Sequence, residues 1–432
     1  MINDEVIYET WSVCPVCLKR ITARRVKKDD GIFLIKTCPE HGQFESIIWR
    51  GYADLNNWIG ASAAAFEKEP PCPDECGLCN DHLRKTCCVL LNVTDRCNLQ
   101  CRFCLADQDN NSADPPLEEI LLSLPKIVEK GKSLVQLSGG EPTMRDDLPH
   151  IVRAIKEAGA GYVQLNSNGI RLGEDKEYVK ELAQAGLSFV FMQFDGTNDT
   201  INLSLRGKGL LKIKQQAIDN CAEYNIGVTL VPTLVRSVNT ENIGELVRYA
   251  ISQSPKVRGI HFQPVSYFGR IPEKPSGQDR ITLDELIHEI ECQTTGLVKS
   301  EDLLPSCCDH PLCGFHGDFV VDNDKLFALL NQENKGNNCC DSSAADKNRE
   351  FVAKRWLRPV KNEQQEQCCC GDIHNMEYFL NKVSAHGFTI TSMMFQDAGN
   401  IDFSRLRRCS LHVYDNGKHI PFCAYYLTAW RG

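Results

Sequence analysis

The sequence predicts an α/β fold built on a parallel sheet, with cysteine-rich segments on both sides of it. Two observations carry the prediction. From residue 88 to about 265, short apolar strand-like runs alternate with amphipathic helical runs, with no internal break. The 23 cysteines of this 432-residue chain fall into tight groups, most of them outside that stretch.

Strands are expected at 88–94, 134–137, 162–165, 189–194, 228–235 and 259–264, and helices at 117–130, 148–158, 177–185, 211–224 and 241–251. Such alternation implies right-handed crossovers between parallel strands. A partial barrel of six units, a closed eight-stranded barrel and a doubly wound sheet all satisfy it, and each gathers function at the C-terminal strand ends. Beyond residue 280 the alternation stops. Thr282 and Glu285 have capping-box spacing before an apolar helix pattern. Residues 411–414 and 419–422 flank Asp415-Asn416-Gly417 and predict a hairpin. The polar stretch 331–348 reads as a loop. Four regions follow: a metal knuckle over 1–60, a cluster segment over 61–87, the βα region over 88–275 and a cysteine-rich region over 276–432.

A net charge of −9 argues against nucleic acid as a partner. No apolar run reaches the length of a membrane span, so an integral membrane protein is not expected. The acidic start Met1-Ile2-Asn3-Asp4-Glu5 lacks the basic and apolar regions of a signal peptide, and a cytoplasmic location is expected. In that setting grouped cysteines point to metals rather than disulfides. Cys221 and Cys292 stand alone in helical patterns and are expected to be buried.

Cys97, Cys101 and Cys104 follow the first strand with C-x3-C-x2-C spacing. Three thiolates on one loop can hold three irons of a [4Fe–4S] cluster and leave the fourth iron open; a zinc or structural thiol loop is the plainer alternative. Cys14, Cys17, Cys38 and His41 form two short knuckles suited to zinc or a mononuclear iron, with His41 either the fourth ligand or an exposed polar residue. Cys72, Cys76 and Cys79, completed by Cys87, can close a further cluster or a second zinc knuckle. Cys308, Cys313, Cys409 and Cys423 are the candidates for another auxiliary cluster. The triplet Cys368-Cys369-Cys370 is either a reactive thiol near substrate or an incidental surface loop.

The cysteine loop resembles the signature of the radical S-adenosylmethionine (SAM) superfamily, and the later strand ends agree in order. Ser138-Gly139-Gly140-Glu141-Pro142 resembles the superfamily's GGEP motif, Asn166-Ser167-Asn168-Gly169 its polar third-strand end, and Asp195-Gly196 with Arg206-Gly207 its DG…RG pattern. The resemblance implies a partial (β/α)6 barrel. It also implies a [4Fe–4S] cluster on Cys97, Cys101 and Cys104 whose open iron chelates SAM. Gly139, Gly140, Glu141, Ser167, Asn168, Asp195 and Arg206 would position SAM, with Gln263 beside the adenine. Reductive cleavage would yield a 5′-deoxyadenosyl radical, with electrons from a donor such as ferredoxin or flavodoxin.

The blocks from Cys72 to Ala106 and from Gly387 to Cys423 are similar to the archaeal tetraether lipid synthases and their bacterial radical SAM (seleno)protein relatives. That similarity implies hydrogen abstraction from an unactivated C–H, followed by C–C or C–S bond formation on a lipid or other small molecule. A radical SAM methylase or peptide-modifying enzyme is the alternative enzyme. A metal scaffold or electron carrier is the alternative outside catalysis.

Overall fold

The computed structural model describes residues 5–60, 66, 68–73, 77–105, 112–306, 308–323, 325–329, 356–358 and 382–429. Expectations for Cys76, the 331–348 loop and the 368–370 triplet lie outside the described residues.

The N-terminal region is a four-stranded antiparallel sheet in sequence order: β1 (Glu5–Val13), β2 (Arg20–Lys28), β3 (Gly31–Cys38) and β4 (Gly42–Trp49). Residues 32–36, which in sequence read as a small hairpin between the knuckles, are the middle of the single strand β3. The cysteine knuckles are the β1–β2 and β3–β4 turns, which lie at the same end of the sheet. A five-residue helix, α1 (Leu55–Ile59), follows and is capped by Asp54.

The core is a curved parallel sheet. Strands β5 (Cys88–Thr94), β6 (Leu134–Gly139), β7 (Tyr162–Ser167), β8 (Phe189–Gln193), β9 (Gly227–Val231) and β11 (Val257–Pro264) pair side by side in sequence order, with the short β10 (Thr233–Leu234) against β11. These are the six expected units. Helices α2 (Leu117–Ile127), α3 (Leu148–Glu157), α5 (Lys176–Ala185), α7 (Leu211–Glu223) and α8 (Ile243–Ser252) fall at the predicted places. Two more were not foreseen, α4 (Ile170–Glu174) and α6 (Asp199–Arg206). Each outer helix offers one apolar stripe; α3 buries Leu148, Ile151, Val152 and Ile155. Strands covered on both faces become largely apolar, as in the fully buried β9, Gly227–Val231, where Thr229 is the one polar side chain. Helix α9 (Leu283–Gln293) begins where its cap pattern predicts, and Glu285 accepts from the Thr282 backbone N–H at 3.2 Å.

The C-terminal region does not stand apart from the barrel. Strand β15 (Gly387–Ser392) adds in parallel to β11, and β16 (Leu411–Asp415) adds in parallel to β5. Eight parallel strands therefore surround the interior. Beyond them lie the antiparallel β12 (Leu304–Pro305), β13 (Phe315–Asp322) and β14 (Lys325–Ala328) on one edge, and β17 (Lys418–Pro421) on the other. Among the described residues the two edges do not pair, so the barrel stays open. The β16–β17 hairpin is the one expected.

The link from β15 to β16 ties the N-terminal sheet to the barrel. Arg25 donates to the Asp402 carboxylate through Nε at 2.9 Å and Nη2 at 2.6 Å, with both side chains buried. Lys36 Nζ donates to Ala398 O at 2.6 Å. Arg280 holds Asp397 from the barrel side at 2.7 and 2.6 Å. Buried charges require such pairing, and removing one partner leaves the other uncompensated. Trp356 closes the N-terminal end of the barrel. Its ring lies 5.2 Å from Phe189 and 4.8 Å from Phe191, and Nε1 donates to Thr389 Oγ1 at 3.0 Å. Of the two isolated cysteines, Cys221 is buried in α7 as expected. Cys292 is not: the last turn of α9 leaves it exposed, its Sγ 3.5 Å from His288 Nε2.

Candidate active site

A cavity of about 440 Å³ fills the barrel and opens at the C-terminal strand ends. Cys97, Cys101 and Cys104 line its upper wall. Their loop is clamped from several sides. Arg96 Nη2 donates to Asp114 at 2.5 Å, Arg102 N to Leu205 O at 3.0 Å, and the Cys104 and Arg270 backbones pair at 3.1 and 2.9 Å.

The Gly139-Gly140 pair fastens this loop to β6. Gly140 N donates to Thr94 O at 2.7 Å and Glu141 N to Arg96 O at 2.8 Å. A Cβ on Gly139 would sit 2.1 Å from Thr94 O, and one on Gly140 would sit 2.2 Å from Arg96 O. The expectation was a close approach of backbone to ligand; the observed close approach is of strand to cysteine loop. Burial pushes the Cys97 thiol up to about 11, and the neighbouring Glu141, Cys101 and Cys104 add to it. A thiolate there calls for a compensating cation, which iron supplies. The donor set therefore fits three irons of a four-iron cluster.

Glu141 is fully engaged with its neighbours. Oε1 accepts from Thr143 Oγ1 at 2.7 Å, Thr143 N at 3.1 Å and Ser167 Oγ at 2.8 Å, while Oε2 accepts from Asn168 N at 2.6 Å. Although burial raises its pKa, these donors oppose that. Asn168 Nδ2 in turn donates to Asn98 Oδ1 at 2.7 Å, which links the β7 end to the cysteine loop. Asp195 lies behind Arg206 and not on the cavity wall. Arg206 grips it through Nε and Nη2 at 2.7 Å each, and Thr233 N adds a bond of 3.0 Å. Burial raises the Asp195 carboxyl, but Arg206 and Lys214 outweigh it and hold the group below its ordinary value. Arg206 reaches the cavity beside Cys101, and Ser167, Asn168 and Gln263 also line it. Sequence reasoning missed the interior side chains Gln136, Gln164, Phe191 and Trp356. The alternation of inward positions along β6 to β8 was the available signal.

Around the N-terminal turns, Cys14, Cys17, Cys38 and His41 bring one ligand atom each within 4.8 Å of all the others. Cys14 Sγ and Cys38 Sγ lie 3.7 and 3.5 Å from His41 Nδ1, and Cys17 Sγ lies 4.0 Å from Cys38 Sγ. Zinc–sulfur bonds of ~2.3 Å in a tetrahedron require edges of ~3.8 Å, so the set fits one ion. His41 thus stands at the fourth corner.

The other cysteines are only partly brought together. Cys72 and Cys79 are within hydrogen-bonding range of each other. Cys87 lies against Cys88, Sγ to Sγ 3.9 Å, and both face the cavity. Cys313 and Cys423 are buried and the half-buried Cys409 lies near them; burial first, and then Asp309 and the neighbouring thiols, push Cys409 well up. Arg405 Nε donates to Cys313 Sγ at 3.5 Å and Gln396 N to Cys423 Sγ at 3.2 Å. Cys308 lies on the cavity wall.

Residues 91–250 match the radical SAM superfamily. "7,8-Dihydro-6-hydroxymethylpterin dimethyltransferase" of Methanocaldococcus jannaschii is 33% identical, over 96% of this chain and 93% of that protein. The chain belongs to the radical SAM superfamily. This radical SAM enzyme also matches, over residues 6–50, the HMPTM N-terminal zinc ribbon domain. "Fe-coproporphyrin III synthase" of Methanosarcina barkeri is 33% identical over 42% of this chain and 45% of its own length. Among solved structures, methylornithine synthase is similar with a TM-score of 0.40 and 14% identity, over 49% of this chain and 63% of that one. The superfamily uses SAM and a [4Fe–4S] cluster and needs a reductant, and the ribbon match supports zinc at the N-terminal turns. No helix among the described residues is long and apolar enough to cross a membrane.

Proposed function

We propose that this radical SAM enzyme methylates a carbon of a pterin or a closely similar fused heterocycle held inside the barrel. The observation that carries the reading is the near full-length relative named as a dimethyltransferase of 7,8-dihydro-6-hydroxymethylpterin. The cavity supports it. About 440 Å³ is in the range of small-molecule sites, and Gln136, Gln164, Asn166 and His261 set a few polar groups into a largely apolar lining. The finer expectation of lipid coupling finds no support in the near full-length relative, which is named for a pterin. Nor does any observation favour a peptide substrate.

In this reading Cys97, Cys101 and Cys104 hold the SAM-binding cluster, which would supply, when bound, the electron that cleaves SAM to methionine and a 5′-deoxyadenosyl radical; the methyl group comes from a separate one-carbon donor, such as a second SAM that leaves as S-adenosylhomocysteine. Arg206, beside Cys101, meets the SAM carboxylate. Backbone of Gly139 and Gly140, with Ser167, Asn168 and Gln263, lines the SAM seat. Glu141 and Asp195 are positioning residues: the first joins the β6 and β7 ends, the second orients Arg206. The closed floor and clamped loop keep water and competing hydrogen donors from a radical. Cys313, Cys409 and Cys423 with Cys308 hold one auxiliary cluster, and Cys72, Cys76, Cys79 and Cys87 another. Electrons come from a cytoplasmic ferredoxin or flavodoxin.

The test is a substrate comparison. Anaerobically reconstituted enzyme with SAM and reductant is offered 7,8-dihydro-6-hydroxymethylpterin or an isoprenoid glycerol lipid, and products are read by mass spectrometry. A pterin heavier by methyl groups is expected. A coupled lipid with unchanged pterin would refute the reading.

A further inference from the structure

Gln164 projects from the middle of β7 into the cavity wall and is 1% exposed. Its Nε2 donates to Asn166 Oδ1 at 2.6 Å. Its Oε1 is buried with no hydrogen-bond partner among the described residues. A buried carbonyl oxygen left unpaired costs about 1–3 kcal/mol, and an orphan of this kind calls for an explanation. Across the interior, His261 on β11 presents a second acceptor. Thr391 Oγ1 donates to Ile260 O at 3.4 Å, so it accepts from His261 Nδ1–H, at 2.8 Å. That tautomer leaves the His261 Nε2 lone pair for the cavity. Burial depresses the imidazole to about 4, which keeps it neutral and able to accept at ordinary pH. The Phe191 ring lies 5.4 Å from His261 and 4.8 Å from Trp356, and gives the site a flat apolar wall.

We propose that Gln164 and His261 are the substrate-recognition edge of this cavity: two acceptors that take N–H groups of a planar heterocycle lying against Phe191. The inference rests on the pterin reading and sharpens it. A 7,8-dihydropterin carries N–H donors on both of its rings, so separated acceptors can engage it from two sides. Substrate binding then satisfies a group that the protein alone leaves unpaired. A site built this way rejects analogues that lack the donor more strongly than a merely apolar pocket can.

The test uses reconstituted holoenzyme titrated with 7,8-dihydro-6-hydroxymethylpterin. Gln164→Leu and His261→Leu should each bind it ~10-fold or more weakly, the loss of one buried hydrogen bond. Gln164→Glu keeps the acceptor and should lose less affinity than Gln164→Leu, although its second oxygen can no longer donate to Asn166 Oδ1. Leucine removes the unpaired amide oxygen but also the Nε2 bond to Asn166 Oδ1, so the melting of Gln164→Leu should change little. Wild-type affinity in Gln164→Leu overturns the inference and leaves the pterin reading standing. Equal loss in Gln164→Leu and Gln164→Glu with lowered melting marks a structural residue and overturns it too. Failure of the wild-type enzyme to bind the pterin at all removes the reading, and the inference with it.

Discussion

Gly140→Ala is a one-methyl perturbation of the active site whose size can be worked from the structure. The added Cβ would lie 2.2 Å from Arg96 O, 2.7 Å from Arg96 C and 2.9 Å from Asp95 C. Ordinary contact begins near 3.4 Å, so the loop or the strand must yield by about 1.2 Å. The opposing atoms are backbone and cannot swing away as a side chain would. Arg96 immediately precedes Cys97, so the displacement is delivered to the first cysteine. Gly140 does not have a positive φ, and alanine there adds no left-handed strain. The steric cost falls in the ~1–3 kcal/mol range of overpacking, and a 1 Å misplacement near reacting groups can cost ~10²-fold in rate. We expect folded Gly140→Ala protein with iron uptake at the SAM site reduced and 5′-deoxyadenosine formation down by ~10–100-fold. Gly131→Ala is the control. Its φ is 75°, and nothing lies within 4 Å of a Cβ there, so it should cost ~1 kcal/mol of backbone strain and leave SAM cleavage unchanged. Iron content, melting temperature and 5′-deoxyadenosine yield are measured on both variants. Wild-type cleavage in Gly140→Ala would refute the view that Gly140 exists to let β6 touch the cysteine loop.

Other expectations concern the charges and the ribbon. Asp195→Asn leaves the Arg206 guanidinium buried without its counter-ion and should destabilise by ~3 kcal/mol at pH 7. The native carboxyl is depressed, so its contribution is present above the usual carboxylate pKa and is lost as pH falls; urea titrations of wild type and variant should converge in acid. His261 titrates near 4 in the folded chain and near 6.5 when unfolded. Over that window the unfolded chain binds more protons, so stability rises with pH by up to ~3 kcal/mol, and His261→Gln should flatten the rise. Cys14→Ala should abolish zinc binding, read by metal analysis. It should also lower SAM cleavage indirectly, because the ribbon holds Asp402 and Ala398 close to Phe395, which lines the cavity.

Much of the barrel was legible because its signal is local. Six apolar runs separated by amphipathic stretches fixed the strands to within a few residues, and the first was expected over the range observed, Cys88–Thr94. Strand β15 was not recognised, since its place beside β11 depends on pairing with residues over a hundred positions earlier. Helix α6 carried a readable signal in Asn198 at its start and Gly207, φ 75°, at its end. The Arg206-Gly207 pair was read there as a ligand motif instead of a helix terminus. The same limit applies to the site. Residue types at strand ends pointed to Glu141 and Asp195 as ligand contacts, but sequence does not show how much hydrogen-bonding capacity neighbours consume. Four protein donors occupy Glu141, and Arg206 occupies Asp195. Conversely, Gln164 carries no motif, and only its buried, unpaired oxygen at the cavity wall distinguishes it.

The most direct test of the account is a single anaerobic turnover assay. Reconstituted enzyme, SAM and reductant are incubated with and without 7,8-dihydro-6-hydroxymethylpterin, and 5′-deoxyadenosine and pterin products are quantified together. The pterin should stimulate 5′-deoxyadenosine formation, methylated pterin should appear with it, and both should vanish in Cys101→Ala. Pterin-independent 5′-deoxyadenosine with no pterin product would contradict it.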